Sequence, residues 1–413
     1  MELNQRGFSI AAELALGRPD VSIVMPCLDE VQSLPHCIGN ALEALARLRT
    51  ELDLSGEIVI ADNGSTDGSQ SLATELGARV VAVTERGYGA ALIGGCNAAL
   101  GRFILMGDCD GSYNFVEGVA MVAELAEGHD VCMGSRFRGG IAPGAMPWKN
   151  RYIGNPTLTA ILNLFYRSGI SDAHCGLRAI RKEAFARLKL TSSGMEFASE
   201  MVIKAALQKL RMTEVPATLS PDLRERTPHL RPWRDGWRHL RYLFMLSPTW
   251  MFAVPGLAAL GSGTVILAAA SMHSLRLLRW VPFGESWIVV AALLVTVGQV
   301  SGLMAMASHL YGVRQGYRLP KSWLHRIRPL FSLESCVIAG LALVATSLVA
   351  LAGVGIYWGD AGFVALPSVL PVTVAGLSGV VGLQTLLGGF LLAVLGGNEA
   401  DFLKLTNSDS GED

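Results

Sequence analysis

The chain has 413 residues, 51% of them hydrophobic, with a net charge of −1 and a mean hydropathy of +0.38. That is more apolar than an ordinary soluble protein, and the near-zero charge excludes a general electrostatic attraction to nucleic acid. The seven cysteines are scattered with no C-x-x-C pair, which argues against zinc or a disulfide framework and suits a reducing compartment. The apolar excess is concentrated after about residue 247, so a mixed α/β half is expected to precede a membrane half. The first 20 residues carry Glu2, Arg6, Glu13 and Arg18 and have no long apolar core, so no signal peptide is expected.

Val21 to Met25 is β-branched and reads as a strand, ended by Pro26-Cys-Leu-Asp29-Glu30. A periodic helix is expected from about Ser33 to Leu48. Glu57 to Ala61 is a second strand, running into Asp62-Asn-Gly-Ser-Thr-Asp-Gly68. Arg79 to Val83 is a third. Gly87-Tyr-Gly89 then opens a helix to Leu100, which leads into a strand at Phe103–Met106. Strands alternating with helices predict a doubly wound α/β sheet, with its ligand crevice at the carboxyl ends of the strands.

The fourth strand is followed at once by Asp108-Cys-Asp110-Gly-Ser112. At a strand end, residues i and i+2 point the same way, so the two carboxylates can converge. Such a pair suits a hard divalent cation that also holds phosphate oxygens; the bland alternative is a polar turn. With Asp29/Glu30, Asp62 and Gly87/Gly89 at the other strand tips, the set suggests a nucleotide site. The G-x-G-x-x-G fingerprint is absent after the first strand, which argues against a nicotinamide enzyme.

Pro26-Cys-Leu-Asp29-Glu30, Asp62 to Gly68, Arg86-Gly-Tyr-Gly-Ala90, Asp108-Cys-Asp110 and Gly134-Ser-Arg136 stand in the order and spacing of family 2 glycosyltransferases. The stretch from about Val21 to Leu243 most resembles the polyprenyl-phosphate (dolichol-phosphate) mannosyl- and glucosyltransferases. The resemblance implies a GT-A fold, a nucleotide-sugar donor and Mg²⁺ or Mn²⁺. It also implies that Pro26, Asp29, Glu30 and Asp62 line the nucleoside, with Gly87 and Gly89 near the phosphates. Asp108 and Asp110 would contact ribose and metal. Ser112, a further metal-side position, stands where many relatives have Gln, and Asp29 stands where Asn is usual.

Val131 to Ser135 is another apolar strand. Arg136 follows it, and Lys149 and Arg151 lie beyond in a Gly/Pro-rich loop. They are either a solvated basic loop or the cations that grip phosphate oxygens, a role the planar guanidinium suits. Asp172 to Arg178 resembles the family's acid-then-Gly-aromatic-Arg stretch, with Leu177 for the aromatic. Glu196 and Glu200 share a helix face, and Glu196 is expected to pair with Arg178 or to cap.

Leu230 to Leu246 places Arg231, Arg234, Arg238 and Arg241 at helical spacing beside Trp233 and Trp237. That pattern marks a helix lying in the headgroup layer. Arg224, Arg226, Arg231, Arg234 and Arg238 would lead a lipid phosphate to the metal, if they do more than anchor. Four apolar spans follow, at Pro248–Ser271, Trp287–Tyr311, Glu334–Tyr357 and Pro367–Leu395, each long enough to cross a bilayer. The basic loop Gly312–Phe331 is expected on the cytoplasmic side, with both termini. Gly376, Gly379, Gly382, Gly388 and Gly389 permit close helix contacts, within the chain by preference or in a homo-oligomer.

The expected organisation is thus an extension at 1–20, a GT-A domain at 21–229, a juxtamembrane helix at 230–246, a four-helix membrane domain at 247–397 and a tail at 398–413. The expected activity is inverting, metal-dependent hexose transfer, glucose or mannose from UDP or GDP, to a polyprenyl phosphate at the cytoplasmic face of a bacterial inner membrane. A processive polysaccharide synthase is the nearest rival. Its Q-x-x-R-W signature is echoed only by Arg276-Leu-Leu-Arg-Trp280. A lipid-linked sugar flippase is the rival of another class; the spans carry almost no charge to mark a pathway.

Overall fold

A computed structural model describes residues 18–224, 232–320 and 332–397. The chain divides into two units, Met1–Leu246 and Ser247–Asp413.

The first unit is built on a seven-stranded sheet: β1 (Val21–Cys27), β2 (Gly56–Asp62), β3 (Arg79–Ala82), β4 (Phe103–Met106), β5 (Val131–Ser135), β6 (Arg178–Arg181) and β7 (Met212–Pro216). The spatial order is β3-β2-β1-β4-β6-β5-β7. β1 pairs in parallel with both β2 and β4. Its alternating side chains feed two cores. Ile23 and Met25 join Ile58 and Ile60 on one face, while Val24 joins Val59, Ile104 and Met106 on the other. Helix α1 (Leu34–Leu52) covers the first face with the stripe Leu34, Ile38, Ala41, Leu45 and Leu48, which is the i, i+4, i+7 pattern of an amphipathic helix. Helices α2 (Ser69–Glu75), α3 (Tyr88–Ala98), α4 (Gly118–Ala126), α5 (Asn155–Tyr166), α6 (Lys182–Leu188) and α7 (Phe197–Leu207) complete the layers.

This mixed sheet is the GT-A arrangement. The sheet is parallel except at one place: β6 lies antiparallel between β4 and β5. Its Arg-Ala-Ile-Arg sequence has only two apolar residues and offers no strand signal. Arg178 is buried nonetheless, its guanidinium spent on the carbonyls of Cys175 and Ala198. The chain leaves β1 in one direction across the sheet and β4 in the other, so the crevice opens where the carboxyl ends of β1 and β4 diverge.

Helix α8 (Pro232–Met245) packs on α5 within this unit. Phe165 meets Phe244 edge-to-face at 5.3 Å, and the Tyr166 hydroxyl donates to the Leu243 carbonyl at 2.5 Å.

The second unit holds four helices long and apolar enough to cross a membrane, among the described residues. They are α9 (Val254–Ser274, whose apolar span begins at Thr249), α10 (Glu285–Arg314), α11 (Leu333–Asp360) and α12 (Leu370–Gly396). The first three run past the expected ends, to Ser274, Arg314 and Asp360, while α12 begins at Leu370 rather than Pro367 and ends at Gly396. Small residues set two of the crossings. A Cβ on Gly340 would stand 2.7 Å from the Gly382 carbonyl, and one on Gly382 would stand 2.8 Å from the Gly340 carbonyl. Gly388 and Gly389 are pressed against Leu303 and Cys336 in the same way, so these glycines serve packing within the chain.

Candidate active site

The crevice at the β1/β4 divergence is a pocket of about 410 Å³. Pro26, Cys27, Glu30, Asn63, Gly87, Tyr88, Asp108, Asp110, Met195 and Arg224 are among its lining residues. β1 delivers Pro26 and Cys27, and β4 delivers Asp108 and Asp110. The two carboxylates arrive together because the chain turns at once after Met106: Asp110 accepts from the Ser112 amide at 3.0 Å, and Gly111 takes a left-handed φ of 81°.

Asp108 is half-buried. Loss of solvation and the neighbouring Asp110 push its carboxyl up to about 6, because both disfavour the charged form. Its Oδ1 is buried and has no hydrogen-bond partner. Asp110 meets a cation: Arg224 Nη2 lies 2.6 Å from Asp110 Oδ2 and 3.1 Å from Asp222 Oδ2, while Nη1 lies 3.2 Å from Glu30 Oε1. One guanidinium thus bridges three carboxylates contributed by the turns after β1 and β4 and the segment after β7.

These residues fit a divalent cation that also binds substrate. Among the described residues no three His, Cys, Asp or Glu side chains gather as a cage. Mg²⁺, however, is commonly held by one or two carboxylates and completes its shell with water and substrate phosphates. An acceptor oxygen at Asp108 with no donor, beside a second carboxylate, is such a partial set.

The other expected positions divide. Glu30, Pro26 and Gly87 line the pocket. Asp62 sits just behind it, its carboxylate accepting from the Gly64 and Ser65 amides and from Gln70 Nε2 at 2.7 Å; its neighbour Asn63 reaches the pocket wall instead. Asp29 holds a left-handed φ of 56° and accepts from the Thr66 amide at 2.8 Å, so it organises the turn rather than facing the pocket. Gly87 and Gly89 also meet a steric need. A Cβ on Gly87 would lie 2.2 Å from the Ser193 carbonyl, and one on Gly89 would lie 2.1 Å from that of Ser192. The glycines let the 192–195 loop close over α3 and bring Met195 to the pocket. Ser112 meets Asp110 through its backbone amide, not as an observed side-chain neighbour.

The expected phosphate grips need correction. Arg136 is buried, and its guanidinium is fastened to Asp172 by two bonds of 2.7 Å. A fork already saturated by a carboxylate is not offered to phosphate. Lys149 and Arg151 line no part of the pocket; each lies over the ring of a neighbour, Trp148 and Tyr152 respectively. Trp148, Tyr152 and Ile153 are exposed, so these cations belong to an apolar, aromatic surface. Arg234 is exposed on α8 and Arg238 is half-buried there; Arg226 and Arg231 lie outside the described residues. Glu196 neither pairs with Arg178 nor caps through its side chain: its Oε2 is buried without a partner, and Arg178 bonds carbonyls instead. Glu200 holds the 191–192 turn through two backbone amides and pairs with Lys204 at 2.6 Å.

Sequence reasoning missed Asn63, Tyr88, Met195 and Asp222. Asn63 and Tyr88 stood inside motifs already singled out. Asp222, two residues before Arg224, carried no signal until the segment folded back onto β4.

Comparison with known proteins agrees with this geometry. Residues 22–189 match the model described as glycosyl transferase family 2, and residues 306–396 match that of the glycosyltransferase family 2 C-terminal transmembrane region. The chain is 35% identical over 384 residues to the low-salt glycan biosynthesis hexosyltransferase Agl6 of Haloferax volcanii, covering 92% of this chain and 89% of that one. It is 28% identical over 197 residues to the dolichyl-phosphate hexose transferase of the same organism, covering 48% of this chain and 81% of that one. With the polyprenol monophosphomannose synthase of Mycolicibacterium smegmatis it shares 27% over 211 residues, covering 48% and 76%. Glucosyl-3-phosphoglycerate synthase from Mycobacterium tuberculosis, solved with phosphoglyceric acid, aligns at a TM-score of 0.41 and 18% identity, covering 58% of this chain and 82% of that one.

Proposed function

The chain belongs to glycosyltransferase family 2, and from that premise we propose that it moves a hexose from a nucleotide sugar to a polyprenyl phosphate at a membrane surface, with inversion. The observation that carries this reading is the pairing of Asp108, its Oδ1 unpartnered, with Asp110 at the diverging strand ends. The relatives named as a dolichyl-phosphate hexose transferase and a polyprenol monophosphomannose synthase support the lipid phosphate as acceptor.

The acceptor removes the need for a general base. A phosphate monoester has its second pKa near 6, so at pH 7 its oxygen is already a nucleophile. Base catalysis, worth ~10²–10⁴-fold elsewhere, has no proton to take. Direct displacement at the anomeric carbon inverts that centre.

What remains is to hold two anions together and to steady the departing diphosphate. Asp108 and Asp110 would hold Mg²⁺ or Mn²⁺, which when bound supplies Lewis-acid charge. Glu30 and Asn63 would face the nucleoside, and Met195 lines the same pocket. Arg224, held between Glu30, Asp110 and Asp222, is the cation at the pocket that would meet phosphate oxygens. The exposed Trp148, Tyr152 and Ile153 with Lys149 and Arg151, and the basic face of α8, would rest in the headgroup layer. The catalytic unit and both termini would be cytoplasmic, with the enzyme in the plasma membrane.

The test is transfer by the purified full-length protein, given polyprenyl phosphate and a panel of UDP- and GDP-sugars. Asp110→Asn should lower the rate by ~10²-fold or more, since even outer-shell changes at metal sites cost 10–100-fold, while the unfolding temperature changes little. Near-normal metal-dependent transfer by that variant would remove Asp110 from the mechanism.

A further inference from the structure

Two thiols line the nucleotide pocket and take no part in the transfer chemistry. Of the seven free cysteines, Cys27 and Cys109 are the ones in that lining, and they come from its two walls. The parallel ladder between β1 and β4 runs as far as Val24 and Met106, and each cysteine stands three residues beyond it. Both side chains therefore fall on the same face of the sheet, in the core that α1 covers, and they are 2% and 3% exposed. The two thiols are hydrogen-bonding neighbours. Cys109 Sγ also donates to the Pro26 carbonyl at 2.7 Å, and Cys27 Sγ lies 3.8 Å from Ser65 Oγ. Neighbouring strands are ~4.8 Å apart, inside the Cα separation of ~4.4–6.8 Å that a disulfide spans.

Cys109 stands between the carboxylates Asp108 and Asp110. Its own carbonyl accepts from Ser33 Oγ at 2.6 Å, and the Asp110 carbonyl accepts from the Leu223 amide at 2.9 Å, so this turn is tied down on both sides. Replacing a contact between thiols by an S–S bond of ~2.05 Å must draw one pocket wall toward the other. The pull takes the S–H donor from the Pro26 carbonyl and acts on the peptide that spaces the two aspartates. A bridge here staples the crevice where β1 and β4 diverge.

We propose that Cys27 and Cys109 form an oxidation site, closed to a disulfide by hydrogen peroxide entering the pocket and reopened by a dithiol, and that the bridged enzyme is inactive. One sulfur, as thiolate, attacks a peroxide oxygen: an S–O bond forms, the O–O bond breaks, and the hydroxide released is protonated to water. The second sulfur attacks that sulfenic sulfur, the S–S bond forms, and the S–O bond breaks with loss of a second water. Two thiols give up two electrons, and one peroxide is reduced to two waters. A dithiol undoes the bridge by exchange through a mixed disulfide. The loss of activity rests on the function proposed above; the bridge itself does not.

The experiment uses the full-length protein in lipid nanodiscs, reduced, freed of reductant and treated with hydrogen peroxide. Non-reducing digestion and mass spectrometry are expected to recover a cross-link between Cys27 and Cys109. Hexose transfer should fall about tenfold or more, the scale on which disturbed metal surroundings act, and return on addition of dithiothreitol. Cys27→Ser and Cys109→Ala, each compared with its own untreated rate, should keep most of that rate under the same dose. Absence of a bridge, a bridge from Cys109 to Cys37, whose thiol meets the Gly111 backbone from α1, or a bridge that leaves transfer unchanged would overturn the proposal. So would a loss in both variants equal to that of the wild type. A bridge that forms as expected in a protein that transfers no hexose even when reduced would strike the catalytic reading and leave the oxidation site standing.

Discussion

Arg224 is the residue on which the site's electrostatics turn. Its guanidinium occupies the space between Asp110, Glu30 and Asp222, and those charges hold its own proton more firmly than usual despite burial. A divalent cation entering the pocket must share Asp110 with it. Arg224→Ala should therefore tighten donor-free Mn²⁺ binding, by roughly fivefold if the competition is worth ~1 kcal/mol as for a partly exposed pair, while slowing transfer. Titration calorimetry on the full-length protein measures the first effect; unchanged affinity would mean that arginine and metal do not compete. Arg136 shows the reverse case. Its partner Asp172 is completely buried, so this pair braces the backbone after β5 and leaves no charge free for substrate.

At the scale of elements, two joints bear on function. The first ties the 174 turn, α7 and α8 together: Ser199 Oγ lies 2.8 Å from His239 Nδ1 and 3.2 Å from His174 Nε2. Burial, with His239 and the nearby Arg136 and Arg178, depresses His174 well below its ordinary value. The native state then binds fewer protons than the unfolded state. Stability is complete above about pH 6.5 and falls as the pH drops below it, by up to ~1.4 kcal/mol per pH unit for this group. Thermal unfolding of the full-length protein between pH 7.5 and 5 measures this. His174→Gln should flatten the acid side of the profile, and an unaltered slope would place the acid loss elsewhere. The second joint is the α11/α12 crossing. Gly340→Val drives a side chain into the Gly382 carbonyl, and overpacking of this kind costs ~1–3 kcal/mol. A lowered unfolding temperature with the transfer rate retained at low temperature is the expected outcome.

For the whole molecule, an even number of crossings returns the polypeptide to the side it started from. If all four helices span the bilayer, the segment that follows α12 lies on the same side as the catalytic unit. Reporter fusions should place the ends of both units on one face and the 275–284 and 361–369 loops on the other. A reporter after α12 on the opposite face would mean that one helix does not cross. Of the basic loop Gly312–Phe331, which argued for a cytoplasmic face, residues 321–331 lie outside the described residues. Arg276-Leu-Leu-Arg-Trp280 falls in the membrane unit between α9 and α10, and Trp280 is exposed there.

Sequence alone determined the elements whose signal is local. The β-branched runs of β1 and β2, the apolar runs of β4 and β5, the Asp108-Cys-Asp110 turn and the four spans were legible because strand burial, turn chemistry and bilayer length each act over a few to about twenty neighbouring residues. The resemblance to glycosyltransferase family 2 followed from the order of those same local motifs. Tertiary structure alone decided where charge ends up. Nothing near Arg136 in the sequence says that Asp172 will seal it, and nothing near Arg224 says that it will fold back 114 residues onto Asp110. β6 became a strand because β4 and β5 needed a partner between them, not because its four residues prefer extension. Ion pairs and strand pairing join positions remote in sequence, and their partners are chosen by the packing of the whole unit rather than by any stretch of it.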